Sequence, residues 1–273
     1  MLLTFGERPF VDWLAGQGQA EIAGRLDGRG PEIAYVFAFL FMCVGAALVL
    51  AIPRPPRTPP KERPTLSNML EGFRYIWRQK VVLGAVSLDL FAVLMGGVIA
   101  LLPIYASDVL NLGGWGLGLL RAAPGIGAIA MAGVLAAFPI RDHAGLIMFV
   151  CVALFGVFTI VFGLSTTVWV SIAALICLGA ADMVSVVVRE TLLQLWTPDE
   201  VRGRVNAVNG VFVSASNELG EFRAGGMAAL LGGGAAGAIS AAVIGGVGAV
   251  VVAVAWAAMF PTLRRIRRLD VAV

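Results

Sequence analysis

Residues 145–164 read GLIMFVCVALFGVFTIVFGL, a run without one charged side chain. A helix rises about 1.5 Å per residue, so twenty such positions cover about 30 Å, the thickness of a bilayer's hydrocarbon core. In lipid each backbone N–H and C=O must be satisfied internally, which leaves a helix or a closed barrel. The run lacks the polar–apolar alternation of a barrel strand, so it reads as a spanning helix. Outward from it, similar runs recur at 33–53, 82–106, 116–138, 167–190, 204–232 and 237–260. The expectation is an all-α integral membrane protein with seven transmembrane helices.

The whole composition agrees. Hydrophobic residues make up 59% and charged residues 14%, against about 25% charged in a soluble domain. The net charge of +3 sits mostly in the connections, which points to a membrane surface and not to nucleic acid. Cys43, Cys151 and Cys177 all fall inside apolar runs without ligand spacing, and His143 is the only histidine. No metal, cofactor or nucleophile–base pair is expected, so the chain does not read as an enzyme. Residues 125–130 imitate a dinucleotide fingerprint, but no strand precedes them and they lie in an apolar helix. Small residues such as Gly125, Gly127, Gly133, Gly225, Gly226, Gly232, Gly245 and Gly248 instead mark faces where helices approach closely.

Charge sets the orientation, because cytoplasmic loops carry the excess Lys and Arg. One set of alternate connections holds Arg54, Arg57, Lys61, Arg63, Arg74, Arg78 and Lys80. It continues with Arg141, with Arg189, Arg202 and Arg204, and with the tail Arg264, Arg265, Arg267 and Arg268. The opposite face has Arg121 alone. The C-terminus is therefore expected in the cytoplasm, and seven spans put the N-terminus outside. Residues 1–30 fit that side poorly, with Arg8, Arg25 and Arg29 there. They show no signal-peptide pattern. They read as a poorly defined lead-in or as the mark of a chain that has lost its natural beginning.

The organisation that follows is a lead-in at 1–30, a helix at 31–53, a linker at 54–80, a six-helix bundle at 81–262 and a basic tail at 263–273. Pro55, Pro56, Pro59, Pro60 and Pro64 keep the first part of the linker extended. After them Leu66, Met69, Leu70, Phe73 and Ile76 recur at helical spacing, which predicts a short amphipathic helix at the cytoplasmic surface.

Several stretches resemble the C-terminal half of a major facilitator superfamily transporter, most closely the bacterial enterobactin-exporter-like efflux proteins. They are Glu71-Gly72-Phe73-Arg74-Tyr75-Ile76-Trp77, the run from Leu83 to Leu94, Gly118 to Pro124, Thr197 to Val205, and Ser214 to Phe222. The resemblance implies that the seven spans correspond to helix 6 plus the six-helix C-terminal bundle of a twelve-helix fold. It further implies secondary-active, proton-coupled efflux of a small amphipathic molecule, of the drug or siderophore class, across a bacterial cytoplasmic (inner) membrane. The partners implied are the lipid bilayer, the small-molecule substrate, and either a missing N-terminal half or a second copy of the chain. An inactive fragment and a non-transporting scaffold or regulatory subunit are the alternatives. The chain departs from the family in lacking five N-terminal spans, and in placing Arg223 where an acidic or small residue is expected.

Ionisable side chains inside a membrane are costly and need a reason. Glu218 and Glu221 stand three apart on one face of the sixth run, with Asn217 beside them, while Arg223 points elsewhere. One reading is that the two carboxylates titrate in a proton-coupled cycle; the other is that they lock this helix to a neighbour. Asp89 and Asp182 read as structural or gating groups on the same pathway. Arg189, Glu190, Arg202 and Arg204 form a candidate cytoplasmic gate or a set of interfacial anchors. Arg121 is the extracellular-face candidate, placed to bind the last carbonyls of the second span, to pair with Asp108, or to snorkel.

Overall fold

The computed structural model describes residues 30–52, 66–140 and 142–266. Its regular elements are all helical. They are α1 (Gly30–Ala51), α2 (Leu66–Arg78), α3 (Lys80–Gly96), α4 (Gly114–Ala137), α5 (Ala144–Leu164), α6 (Val168–Trp196), α7 (Asp199–Leu230), α8 (Gly234–Met259) and the short α9 (Pro261–Arg264). The lead-in, the Pro-rich stretch, Arg141, Arg267 and Arg268 lie outside the described residues. The chain divides into two compact units. One contains α1, whose side chains from Tyr35 to Ile52 are exposed. The other contains α2, α3 and α4 from Leu117 through α9.

Five described helical stretches are long and apolar enough to cross a membrane: Lys80–Val109, Trp115–Ala137, Ala144–Leu164, Val168–Trp196 and Gly234–Met259. Two of the seven expected spans, the first and the sixth, are not among these five. α1 is an apolar helix of 22 residues with one charged side chain, Glu32. The sixth run is one helix of 32 residues, α7, but Asp199, Glu200, Arg202, Arg204, Glu218, Glu221 and Arg223 make it far more polar than the rest. Two boundaries also move. The fifth run continues six residues past the charged pair Arg189–Glu190, to Trp196. The second run is broken: α3 ends at Gly96, Gly97 is extended at φ −59° and ψ 125°, and the chain resumes as a 3-10 turn at Ile99–Leu101. A π turn at Tyr105–Val109 completes it.

Within the second unit α8 packs on α5, α3 and α7, and α5 also packs on α6. A main core of Leu88, Met148, Phe149, Val188, Leu192 and Val252 joins α3, α5, α6 and α8. Lipid offers no hydrophobic drive between helices, so close backbone approach does the work. A β-carbon on Gly156 would stand 2.7 Å from the Gly246 carbonyl oxygen, and one on Gly246 would stand 2.6 Å from that of Gly156. The pair lets α5 and α8 touch backbone to backbone. Gly127 and Gly179 do the same between α4 and α6. By contrast Gly125, Gly133, Gly225 and Gly226 face open space among the described residues. The turn from α7 to α8 needs glycine for another reason: Gly232, Gly233 and Gly234 all have positive φ.

The amphipathic helix forms where the periodicity predicts it, but it does more than lie on a bilayer surface. Ile76 is only 2% exposed and packs with Val82, Val86, Leu193 and Val205. The Tyr75 hydroxyl donates to the Trp196 carbonyl at the end of α6. Glu71 pairs with Arg204, and Phe73 meets Phe212 edge to face. Burial pushes the Tyr75 phenol above its ordinary value of 10.0. α2 thus clips the end of α6 to the start of α7.

Candidate functional site

Two polar features lie within the bundle, and α7 contributes to both. The first surrounds the break after α3. A helix end leaves its last carbonyls without intrahelical partners and carries partial negative charge. Here Arg223 supplies the missing cation: its Nε donates to the Leu94 carbonyl at 2.8 Å, and an Nη donates to the Met95 carbonyl. Its other Nη lies 3.1 Å from the Met227 sulfur. Gly245 makes room, since a β-carbon there would stand 2.9 Å from the guanidinium. Gly220 lies against Val93 and Leu94, which brings α7 to the break one turn before Arg223. The residue that departed from the family pattern is therefore a fixed structural cation.

On the other side of α7 at this level, Asn217, Glu218 and Glu221 are all exposed on the bundle surface. The Asn217 amide bonds its own helix, at the Val213 carbonyl, 3.0 Å away. Among the described residues neither glutamate enters an ion pair. A partner that would lock α7 to a neighbour through them is absent among the described residues. A carboxylate face midway along a membrane helix does not belong against hydrocarbon.

The second feature is buried. Asp89 on α3 is 7% exposed and pairs with Arg189 on α6, which is 4% exposed. Arg189 Nε also lies 3.5 Å from Glu190. From α7, Asn209 Nδ2 donates to Glu190 Oε1 at 3.0 Å. Asp182, lower on α6, is within electrostatic reach of Asp89 and Arg189. One guanidinium thus stands between carboxylates of two helices, Asp89 of α3 and Glu190 of α6.

The four residues of the candidate cytoplasmic gate fall in three separate places. Arg189 and Glu190 belong to a helix interior and to this buried group. Arg202 pairs with Asp199 at 2.6 Å and donates to the Thr197 carbonyl at 3.1 Å, bonds that begin α7. Arg204 is taken by Glu71 of α2. Arg121 is exposed, and Asp108 accepts from Ser107 at 2.6 Å; the anticipated Arg121–Asp108 pair does not form. Cys151 is half-buried, Cys43 and Cys177 are exposed, and all three are free. Asn209 gives no signal in the sequence, and Glu71 and Tyr75 appear there only within a family-like stretch, because each acts through a partner more than 18 residues away.

A family model described as "Transmembrane secretion effector" matches residues 22–272. Among curated proteins, the enterobactin exporter EntS of Citrobacter koseri (strain ATCC BAA-895 / CDC 4225-83 / SGSC4696) is 27% identical over 218 residues, covering 80% of this chain and 50% of that protein. EntS of Escherichia coli O1:K1 / APEC is 27% identical over 226 residues, with the same coverage, 80% and 50%. The chain spans about half the length of the curated relatives it matches. A solved bacterial homolog of the human lysosomal transporter Spinster, inward-facing and unoccupied, aligns with a TM-score of 0.47 at 16% identity. That alignment covers 97% of this chain and 66% of that one.

Proposed function

The chain belongs to the transmembrane secretion effector family of major facilitator superfamily transporters, and from that premise we propose that it supplies the C-terminal half of an exporter. The exporter moves a small amphipathic molecule, of the drug or siderophore class, out across the bacterial inner membrane. The C-terminus and α2 face the cytoplasm, as the distribution of Lys and Arg requires. Transport is secondary-active and driven by protons. The substrate path runs between this bundle and a second half, which is either an N-terminal half or a second copy of the chain.

One observation carries this reading. Asn217, Glu218 and Glu221 form an exposed polar face midway along α7, and such a face needs water, substrate or another protein half opposite it. In this superfamily's architecture, substrate binds near the midplane between two halves that rock about it. The half-length match to the EntS relatives supports the same arrangement.

The test is efflux of a fluorescent amphipathic dye from proteoliposomes under an imposed pH gradient, with the chain alone and completed by an N-terminal half. Gradient-driven efflux that is lost in Glu218→Gln and in Glu221→Gln is the expected result. Efflux unaltered in both variants would refute the role of this face. No efflux from either wild-type preparation would leave the scaffold reading in its place.

A further inference from the structure

α2 spends its inner side on the protein and leaves its outer side open. Inward, Gly72 lies against the Arg204 backbone, where a β-carbon would stand 2.7 Å from the carbonyl. Ile76 is buried, and Tyr75 bonds the Trp196 carbonyl. Outward, the sequence makes two ridges at i, i+4 spacing. One is aromatic: Phe73 and Trp77 stack with ring centroids 5.9 Å apart, and Trp77 is 65% exposed. The other is cationic: Arg74 and Arg78 are exposed, as is Lys80 at the start of α3.

Among the described residues these three cations enter no ion pair. The acids beside them are taken: Glu71 by Arg204 and Asp199 by Arg202. The covalent chain fixes where the two ridges lie. Gln79 alone separates α2 from α3, and Lys80 opens the spanning stretch Lys80–Val109. Trp77 stands three residues earlier, so it stays within about 11 Å of the span's first residue. At that depth hydrocarbon gives way to headgroups. Indole rings are favoured there, and an arginine can cover apolar surface with its stem while its head stays in the polar layer. The guanidinium fork also matches two oxygens of a phosphate. An aromatic ridge beside a cationic one, both at a span's end, is complementary in charge and polarity to a lipid with a negative headgroup.

We propose that the outer side of α2 is a binding site for an anionic phospholipid. Arg74 and Arg78 hold the headgroup phosphate, Lys80 adds its charge at the span's end, and Phe73 and Trp77 lie against the upper acyl chain. The inner side of α2 holds the end of α6 to the start of α7, so a lipid bound outside secures that clip from behind. A cation near an anionic membrane surface is worth about five-fold in affinity. Salt screens part of the sum, and three cations give a preference of about ten-fold or more for an anionic over a neutral lipid. That the leaflet is the cytoplasmic one rests on the orientation proposed above; the lipid site itself does not.

Quenching of Trp77 by brominated lipid reads the site. The full chain is placed in nanodiscs of equal parts phosphatidylcholine and phosphatidylglycerol, with bromine on the acyl chains of one lipid or of the other. The share of Trp77 is the emission lost in Trp77→Phe, measured in each background. The expected result is that brominated phosphatidylglycerol quenches this share as a lipid of about ten-fold higher occupancy does. The preference shrinks as salt is added and vanishes in the Arg74→Gln, Arg78→Gln, Lys80→Gln triple variant. That variant keeps Gly72, Tyr75 and Ile76, and its folding is checked by unfolding in phosphatidylcholine alone, where it should match wild type. Amide exchange in α2 should be slower in the anionic lipid than in the neutral one for wild type and equal for the variant. Equal quenching by the two lipids in wild type, or a preference that survives the triple variant, overturns the proposal. Trp77 emission quenched by neither lipid also overturns it and gives this face to a protein partner. The lipid preference without efflux from any preparation leaves the site standing and removes the exporter reading; gradient-driven efflux without the preference does the reverse.

Discussion

Replacing Arg223 by Met tests whether the break in the second span is held by a side-chain cation. The helices are already inserted before they pack, so the penalty for an arginine in the membrane is common to both states. What the variant loses on packing is the bond from Nε to Leu94, 2.8 Å long, and the one from Nη to Met95. Hydrogen bonds between membrane helices average about 0.6 kcal/mol, because the separated helices find other partners. Bonds involving a charged group run to about 1.5–3 kcal/mol in soluble proteins. The helix-end field adds up to about 2 kcal/mol in partly buried geometry. Two charge-assisted bonds discounted for the membrane reference give about 2–4 kcal/mol for Arg223→Met. Arg223→Lys keeps the charge and one bond, so it should lose about half of that. Reversible unfolding in mixed micelles measures both. Amide exchange at Gly97, which bonds the Val93 carbonyl at 2.9 Å, reports the break locally and should quicken. Arg223→Met within about 0.5 kcal/mol of wild type, with exchange at Gly97 unchanged, would refute the reasoning.

Arg189→Met should destabilise by about 3–5 kcal/mol, as loss of a partner from a buried pair does. Asp89→Asn should cost less, because Arg189 still has Glu190 3.5 Å away; equal costs in an unfolding titration would contradict the single-cation account. Gly156→Leu should separate α5 from α8 and cost more than the roughly 1–3 kcal/mol of ordinary overpacking, since backbone stands 2.7 Å away. A thermal-unfolding midpoint equal to wild type would rule that contact out. Tyr75→Phe should loosen α2 by about 1 kcal/mol through loss of its bond to Trp196. The folded state favours the neutral phenol, so this contribution is complete below the ordinary value of 10.0 and is lost as pH rises through the raised one. Proteolysis at the α2 end should accelerate at alkaline pH in wild type and not in Tyr75→Phe.

The apolar runs by themselves determined the helical membrane class, because length and the absence of charge leave the backbone in lipid no other solution. The Leu66 to Ile76 periodicity likewise determined α2, and the i, i+3 spacing put Glu218 and Glu221 on one face. These are properties of a helix taken alone. The tertiary structure decided whatever depended on which helices become neighbours. Arg189 looked like a loop charge at a span's end, yet it is buried because α3 brings Asp89 to it. Arg204 looked like a gate residue, yet α2 brings Glu71. Asn209 carried no signal until Glu190 stood 3.0 Å away. Arg223 is a misplaced cation in the sequence and a helix cap in the fold, because the carbonyls it binds belong to a chain segment 128 residues away. A single helix fixes which residues share a face; only packing fixes what that face meets.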